Sequence, residues 1–159
     1  MNNAEFHTPT EYQAALDQLI AAAHHRLRIH DRDLQAGDFN SSERYERLRS
    51  FCLAGGARRI EILLDDIAYV QKQCPRLMTL LRDFSHVVEI RQTEADSERP
   101  TCSFALADRS AWLKRLDKDA LSGQFDLDDA ASAALLHQQF DQLWQRSIAS
   151  VSATTLGLG

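Results

Sequence analysis

Residues 101–108 of this chain read Thr-Cys-Ser-Phe-Ala-Leu-Ala-Asp, and the run from Cys102 to Ala107 is almost wholly apolar. Strands covered on both faces show such continuous apolar runs, whereas strands with one face in water alternate between apolar and polar residues. The stretch therefore predicts a buried strand that ends at Asp108. Other elements must then cover both faces of its sheet.

The segments on either side of this strand alternate between helical and strand-like periodicity. Thr8-Pro9-Thr10-Glu11 is a capping box with proline at the first helical position, and it predicts a helix from Pro9. A second helix is expected after Asn40, which can cap it, and should stop at Gly55-Gly56. Further helices are expected from Pro75 and from about Asp126. Strands are expected over residues 26–30, 59–64, 87–90 and 102–107, with a hairpin arm and one more strand within 112–125.

This alternation predicts an α/β fold with a mixed, mostly parallel sheet and helices on both faces. A chain of 159 residues has the usual length of one domain. We expect an N-terminal segment over residues 1–8, the α/β domain over 9–148 and a flexible tail over 149–159. The polar stretch 92–100 is expected to be an exposed loop.

The net charge indicates which partners are disfavoured, and the cysteines indicate which cellular compartment suits the chain. Eighteen Lys and Arg against twenty-three Asp and Glu give a net charge of −5, so the chain has no general attraction for nucleic acid or anionic lipid, although a local basic patch remains possible. Neither a signal peptide nor a membrane-spanning run is evident, and the three cysteines lack metal-site spacing. We therefore expect a cytoplasmic protein with reduced, buried thiols and no cofactor.

Polar residues follow several of the predicted strands, which is where open α/β sheets bind ligands. Arg91 could meet an anionic group there, or Asp33 and Asp65 could hold a magnesium ion. The alternative is that these residues are ordinary solvated strand ends, with some of the aspartates capping helices. The candidate cleft comprises His30, Asp31, Asp33, Asp65, Asp66, Arg91 and Asp108.

Two other constellations favour structural roles. His24 and His25 are adjacent, and neighbouring side chains on a helix diverge by about 100°, so they do not form a metal pair. A basic cluster on and after the second helix is interleaved with glutamates, which favours a salt-bridged, solvated face over a nucleic-acid contact. This cluster comprises Arg44, Arg47, Arg49, Arg58 and Arg59.

The apolar strand also resembles the H-x-K-x-x-x-x-D motif of the phospholipase D superfamily, with Thr101, Ser103 and Asp108 at the three motif positions. Residues 140–144, FDQLW, resemble the F-x-x-L-W ending of phospholipase D-like repeats, and residues 59–65 resemble their second strand. The resemblance covers about residues 9–148, which is one repeat of a fold that acts in pairs. More narrowly, the chain is similar to uncharacterised bacterial phospholipase D-like domains, some of which lie beside acetyltransferase domains.

The resemblance implies that the family's chemistry is missing. In the superfamily the motif histidine is the nucleophile that takes up the phosphoryl group, and the lysine neutralises charge on its oxygens. Thr101 and Ser103 can do neither, and no other H-x-K occurs in the sequence. We expect a scaffold without phospholipase D activity.

The leading hypothesis is therefore a non-catalytic binding or interaction module. It would form a homodimer across the motif strand, or dock on a partner protein, and could sense a small molecule. One alternative is a hydrolase or transferase that uses His30 with Asp31 or Asp65 as an acid–base pair. The other is a nucleic-acid-binding domain, against which the acidic net charge weighs.

Overall fold

The computed structural model describes residues 4–94 and 100–151, and the eight strands found there form a single sheet. The strand order across the sheet is β1-β7-β6-β5-β2-β3-β4-β8. The strands are β1 (Ala4–Phe6), β2 (Arg26–Asp31), β3 (Arg59–Leu64), β4 (Val88–Gln92), β5 (Ser103–Ala107), β6 (Ala111–Arg115), β7 (Gly123–Asp126) and β8 (Ile148–Val151).

The sheet is mixed, as predicted, but it is not mostly parallel. Only β2–β3 and β3–β4 pair in parallel among the described strands. The other five pairings are antiparallel. The difference arises after β4, where short connections link β5, β6 and β7, because a short connection can join only antiparallel neighbours. The helix–strand alternation that favoured a parallel sheet is confined to the first part of the chain.

Five α-helices pack on this sheet in the described part of the chain: α1 (Pro9–Ala22), α2 (Ser42–Leu53), α3 (Ala68–Gln73), α4 (Pro75–Asp83) and α5 (Ala130–Gln145). The Thr8 cap of α1 is confirmed, since its hydroxyl accepts a hydrogen bond from the Glu11 N–H at 3.1 Å. The expected cap of α2 is wrong, because Ser41 and not Asn40 caps this helix. Asn40 instead accepts a hydrogen bond from the Arg76 N–H in the first turn of α4.

The two faces of the sheet carry separate apolar cores. Helices α1 to α4 cover one face, where Leu27 and Ile29 of β2 point. Helix α5 covers the other face and buries Phe104 and Leu106 of β5 against Phe140. Successive strand residues point to opposite faces, so the continuous apolar run in β5 contributes to both cores. This confirms the expectation of helices on both faces.

Both ends of the described chain belong to the sheet. Phe6 of β1 pairs with Gly123 of β7, and Ile148 of β8 pairs with Gln92 of β4. The sheet therefore includes residues 4–6, which were assigned to an N-terminal segment, and residues 149–151, which were assigned to the tail. The rest of the expected tail, 152–159, and much of the expected loop, 95–99, lie outside the described residues. None of the helices in the described ranges is both long and apolar enough to cross a membrane.

Candidate functional site

A buried ion pair lies at the edge of the sheet where β2 and β3 end, which we call the carboxyl edge. Asp31, the last residue of β2, accepts a hydrogen bond from Arg115 of β6 at 2.6 Å, and both side chains are almost completely buried. Arg115 also donates from Nε to the Ser103 hydroxyl at 2.9 Å and stands over the Tyr12 ring. Burial raises the pKa of Asp31, although the charge of Arg115 opposes this effect. The guanidinium thus ties β2, β5 and β6 together on the α1 face.

A second ion pair lies beside it at the same edge. Asp65, which follows β3, accepts hydrogen bonds from Lys118 Nζ at 2.6 Å and from the Thr93 hydroxyl at 3.0 Å. The backbone N–H of Lys118 donates to the Thr101 carbonyl oxygen at 2.8 Å. Lys118, in the loop after β6, therefore contacts residues that follow β3 and precede β5, and the Asp65 that it binds also contacts Thr93 after β4. Both carboxylate oxygens of Asp65 are already engaged.

His30 lies next to these ion pairs, inside the core under α5. Its side chain has 0% exposure, its ring meets that of Phe104 edge-on, and Nδ1 lies 3.0 Å from the Leu63 carbonyl oxygen. Because a carbonyl can only accept, Nδ1 carries the hydrogen and Nε2 keeps a free lone pair. That Nε2 has no hydrogen-bond partner among the described residues. Burial, followed by the charge of Lys118, lowers the pKa of His30 to about 4, so the imidazole is neutral at pH 7.

The structure places part of the predicted cleft at this edge. His30, Asp31 and Asp65 come together there, but neither carboxylate is hydrogen-bonded to the histidine. Asp33 accepts hydrogen bonds from the backbone and side chain of Gln35, and Asp66 accepts one from the Ala68 N–H at the start of α3. Each of these two aspartates thus accepts a hydrogen bond from the backbone two residues further on, as turn residues do.

Asp108 lies away from that group, so the single predicted cleft is wrong in extent, whereas Arg91 of β4 lies level with His30 because both residues pair with Leu63 of β3. Arg91 projects onto the α5 face, where it binds Glu89 at 2.7 Å and stands 4.3 Å over the Trp144 ring. Asp108 lies at the opposite edge of the sheet, where β2 and β3 begin, which we call the amino edge. Since β5 runs antiparallel to β2, the residue after β5 must lie where β2 starts.

Asp108 closes the turn at the amino edge. Its carboxylate accepts hydrogen bonds from the backbone N–H groups of His24, His25 and Arg26 at 2.8–3.0 Å. Partial burial acts to raise the pKa of Asp108, but these hydrogen bonds outweigh it and hold the pKa below its ordinary value. The residue also has a positive φ of 54°, which aspartate tolerates better than most residues. The carboxylate of Asp108 thus holds the chain that enters β2 against the turn that follows β5.

The other two motif positions differ in exposure. Ser103 is 2% exposed and lies on the α1 face, with its hydroxyl committed to Arg115. Thr101 lies before β5 and is exposed. The described residues include no group of three or more His, Cys, Asp or Glu suited to a metal ion.

Most residues of the expected basic cluster have separate structural partners. Arg44 is buried, forms an ion pair with Asp17 and donates to the Gly37 carbonyl oxygen, so a solvated face is the wrong description for it. Arg58 stands over the Phe51 ring. Arg59 pairs with Glu89.

Sequence reasoning missed the cations that neutralise the buried carboxylates. Arg115 and Lys118 fall in the stretch 112–125, where the sequence predicts a hairpin arm and one more strand but does not fix which side chains point inwards. Arg28 was taken as an ordinary strand residue, yet it is buried and binds Glu61 at 3.0 Å and Asp141 at 2.8 Å. A signal was present, because a charge inside an apolar strand needs an opposite charge from another element.

A cavity of about 770 Å³ opens at the amino edge, between the starts of β2 and β3 and helix α5. His25, Arg26 and Arg109 line it from the sheet side. Ala134, His137 and Gln138 line it from α5. Sequence reasoning did not anticipate this cavity, because it depends on how α5 crosses the sheet.

The fold is that of the phospholipase D-like proteins. Nuc from Salmonella typhimurium, a phospholipase D family member, matches with a TM-score of 0.70 and 11% identity over 95% of this chain and 99% of Nuc. NucT from Helicobacter pylori matches with a TM-score of 0.64 and 15% identity over 94% of this chain and 99% of NucT. TrmBL2, an archaeal chromatin protein with a novel mode of DNA binding, matches with a TM-score of 0.70 and 12% identity over 94% of this chain.

The chain spans only 54% of TrmBL2, whereas it spans nearly all of the other two structures. At these identities the likeness concerns the fold alone. Within that fold class, the chain belongs to the family described as Domain of unknown function (DUF7931), whose model matches residues 8–156. The sequence matches no curated protein.

Proposed function

We propose that this chain is a non-catalytic phospholipase D-like binding or interaction module. The observation that carries the proposal is the hydrogen bonding of Ser103, the residue that stands where the motif has its lysine. Its hydroxyl is buried and accepts a hydrogen bond from Arg115, whose charge is matched by Asp31. A phosphoryl-transfer site needs a cation free to meet the phosphate oxygens, and here the nearby cations are committed to carboxylates.

The same geometry argues against restoring phospholipase D activity by putting the motif histidine and lysine back at positions 101 and 103. A lysine at position 103 would place a second cation beside the buried Arg115 with only one carboxylate, Asp31, between them. A histidine at the exposed position 101 would then act without the lysine that normally neutralises the developing charge. The packing of this edge therefore supports a structural role for it.

A hydrolase or transferase that uses His30 is the first alternative, and the free lone pair of Nε2 favours it. A general base must be within hydrogen-bond reach of the proton that it takes. His30 has 0% exposure, and Asp65, its candidate partner, is saturated by Lys118 and Thr93. The alternative thus requires the loop that carries Lys118 to open.

Hydrolysis of bis-p-nitrophenyl phosphate tests the proposal against this alternative. We expect no turnover above buffer for the wild type, for Thr101→Ala or for His30→Ala, with circular dichroism confirming that each variant is folded. Wild-type turnover that is lost in Thr101→Ala would overturn the proposal, because it would show that the strand resembling the motif takes part in catalysis. Turnover that survives Thr101→Ala but disappears in a folded His30→Ala would overturn it in favour of the hydrolase.

Self-association is part of the proposal, but it cannot run through Ser103, because that side chain is buried beneath α1. A better candidate face lies where Leu116 and Leu135 border one hollow of about 340 Å³. These side chains are 64% and 70% exposed, and large exposed apolar groups that share one surface are typical of contact sites. Two-fold dimers are the commonest soluble homo-oligomers.

Nucleic-acid binding is the second alternative. TrmBL2 is described as DNA-binding, and basic side chains gather at the amino edge of this chain. The net charge of −5 opposes non-specific binding to a polyanion. The concave shape of the amino edge also fits a smaller ligand better.

A further inference from the structure

Hydrogen bonds and an ion pair connect the elements that surround the cavity at the amino edge. Arg28 binds Asp141 of α5 at 2.8 Å and lies 3.2 Å from His137 Nδ1, while His137 Nε2 lies 2.8 Å from the Asp108 carbonyl oxygen. Since Arg28 can only donate and the carbonyl can only accept, His137 is neutral with its hydrogen on Nε2. Burial, with the backbone hydrogen bond opposing it, lowers the pKa of His137 and so favours this neutral form. These contacts join α5 to β2 and to the turn after β5.

The anionic groups at this cavity are already occupied. Asp108 accepts three backbone hydrogen bonds, and Asp141 binds Arg28. The positive charge of Arg59, which also lines the cavity, is matched by Glu89 at 3.0 Å. The carboxylates around the cavity therefore do not neutralise its remaining cations through direct ion pairs.

Two arginines at the cavity have exposed, uncommitted guanidinium groups. Arg26 starts β2 and Arg109 follows β5, and β2 and β5 are neighbouring strands. Neither guanidinium forms a hydrogen bond or an ion pair with residues 4–94 or 100–151. His25, on the same side, can add a third donor. A guanidinium presents paired N–H donors that match the oxygens of a phosphate group.

We propose that this cavity binds a small molecule that carries a phosphate monoester. Arg26 and Arg109 would bind the phosphate at the mouth of the cavity. The organic part would lie along Ala57 and Ala134, where short side chains leave room, with the Gln138 amide as a polar contact. The cavity lies at the opposite edge of the sheet from Thr101 and Ser103, so this binding site goes beyond the proposed function and is independent of the motif positions.

The size and shape of the cavity favour a small molecule over a nucleic acid. Pockets for small ligands measure about 300–1,000 Å³, and this one falls within that range. An inorganic phosphate ion would leave most of the volume empty. A nucleic acid needs a long basic surface, whereas most arginines of the expected basic cluster already contact Asp17, Phe51 or Glu89.

Isothermal titration calorimetry with the full chain tests the proposal. The ligands are AMP, glycerol phosphate and phosphoserine, each compared with adenosine, glycerol or serine, together with inorganic phosphate and a single-stranded oligothymidylate. At least one phosphate ester should bind, and its dephosphorylated counterpart should not. Arg26→Gln and Arg109→Gln should each weaken this binding roughly tenfold, the loss of about 1.4 kcal/mol expected for a charge-assisted contact.

Arg49→Gln is the matched control, because Arg49 is an exposed arginine on α2 and forms no ion pair with the described residues. It should leave binding unchanged, and melting curves should show that all three variants are folded. The proposal is overturned if no ester binds better than its counterpart, or if inorganic phosphate binds as tightly as the best ester. It is also overturned if Arg49→Gln weakens binding equally, or if the oligothymidylate binds more tightly than every ester and loses affinity in Arg26→Gln.

None of these outcomes depends on phosphodiesterase activity. Turnover of bis-p-nitrophenyl phosphate would overturn the proposed function and leave this binding site standing. Failure of every ester to bind would remove the binding site and leave the non-catalytic assignment in place.

Discussion

At the scale of single residues, the carboxyl edge depends on charges that are buried in pairs. Removing water from a carboxylate and a guanidinium costs several kcal/mol, and good geometry must offset that cost. Arg115 reaches Asp31, Ser103 and the Ala120 carbonyl oxygen, so each of its nitrogen atoms has an acceptor. Loss of the arginine would leave the Asp31 carboxylate buried without a countercharge.

Replacing this arginine should therefore be costly. We expect Arg115→Met to lower the free energy of unfolding by roughly 3–5 kcal/mol, as when one partner of a buried ion pair is removed. Arg32→Met is the matched control, because the Arg32–Asp119 pair is exposed and screened by solvent, so its loss should change the free energy of unfolding far less. Urea unfolding of both variants measures the difference. Equal losses in the two variants would contradict a buried role for Arg115.

The buried His30 should make stability depend on pH. Its pKa is lowered to about 4 in the folded chain, against about 6.5 in the unfolded chain. The unfolded chain therefore takes up a proton first, so the stabilisation is present above pH 6.5 and is lost as the pH falls towards 4. Urea unfolding across this range should show the decline in the wild type.

In His30→Leu this decline should be smaller by up to about 3 kcal/mol, since each pKa unit corresponds to about 1.4 kcal/mol. His137 has a pKa shifted in the same direction, so part of the slope should remain in that variant. A slope identical in wild type and His30→Leu would show that His30 is protonated without penalty in the folded chain.

At the scale of elements, β7 depends on a residue without a side chain. Gly123 pairs with Phe6 on one side and with Arg115 on the other. A Cβ at this position would overlap the Lys114 carbonyl oxygen and the Phe6 ring. Because the Lys114 carbonyl oxygen belongs to the backbone, it cannot move aside as a flexible side chain can, and the strand itself would have to shift.

We expect Gly123→Ala to destabilise the fold by roughly 1–3 kcal/mol, as overpacked positions do. The neighbouring Gln124 is exposed, and Gln124→Ala should change stability by no more than about 0.5 kcal/mol. Thermal unfolding followed by circular dichroism measures both. A Gly123→Ala variant as stable as Gln124→Ala would show that β1 and β7 separate easily.

The elements that sequence reasoning predicted well are those with strong local signals. Thr8 and Pro9 fix the start of α1, and the left-handed Gly55 and Gly56 follow the end of α2. The direction of pairing was predicted poorly, because it depends on connection length beyond β4 and not on the periodicity of any strand. The Asn40 cap was misassigned for a similar reason, since its partner Arg76 lies 36 residues away.

The candidate site was predicted in part for the same physical reason. Asp31 and Asp65 follow parallel neighbours, so their shared edge could be inferred from strand order alone. Asp108 was placed with them because its strand was taken as parallel. The cations Arg115 and Lys118 could not be located without the register of β6, which aligns Arg115 with Ser103.

At the scale of the whole molecule, the two edges of the sheet differ in charge. Acidic residues follow β2 and β3 at the carboxyl edge, while the amino edge carries His24, His25, Arg26, Arg58, Arg59 and Arg109. The net charge of −5 conceals this separation. The basic groups at the amino edge can therefore attract an anionic ligand locally, because a local field can guide binding against the overall charge.

The face bordered by Leu116 and Leu135 lies on the α5 side of β6 and β7 and shares no lining residue with the cavity at the amino edge, and we expect two copies of the chain to meet there. Light scattering at micromolar concentration should give twice the 18.0 kDa of one chain for the wild type. Leu135→Glu should give 18.0 kDa, because a carboxylate would have to lose its water in the contact. Leu53→Glu is the control, since Leu53 is 56% exposed on α2, at the far side of the sheet, and this variant should remain dimeric. A monomeric wild type would contradict self-association, whereas a dimer that persists in Leu135→Glu would move the interface away from this face.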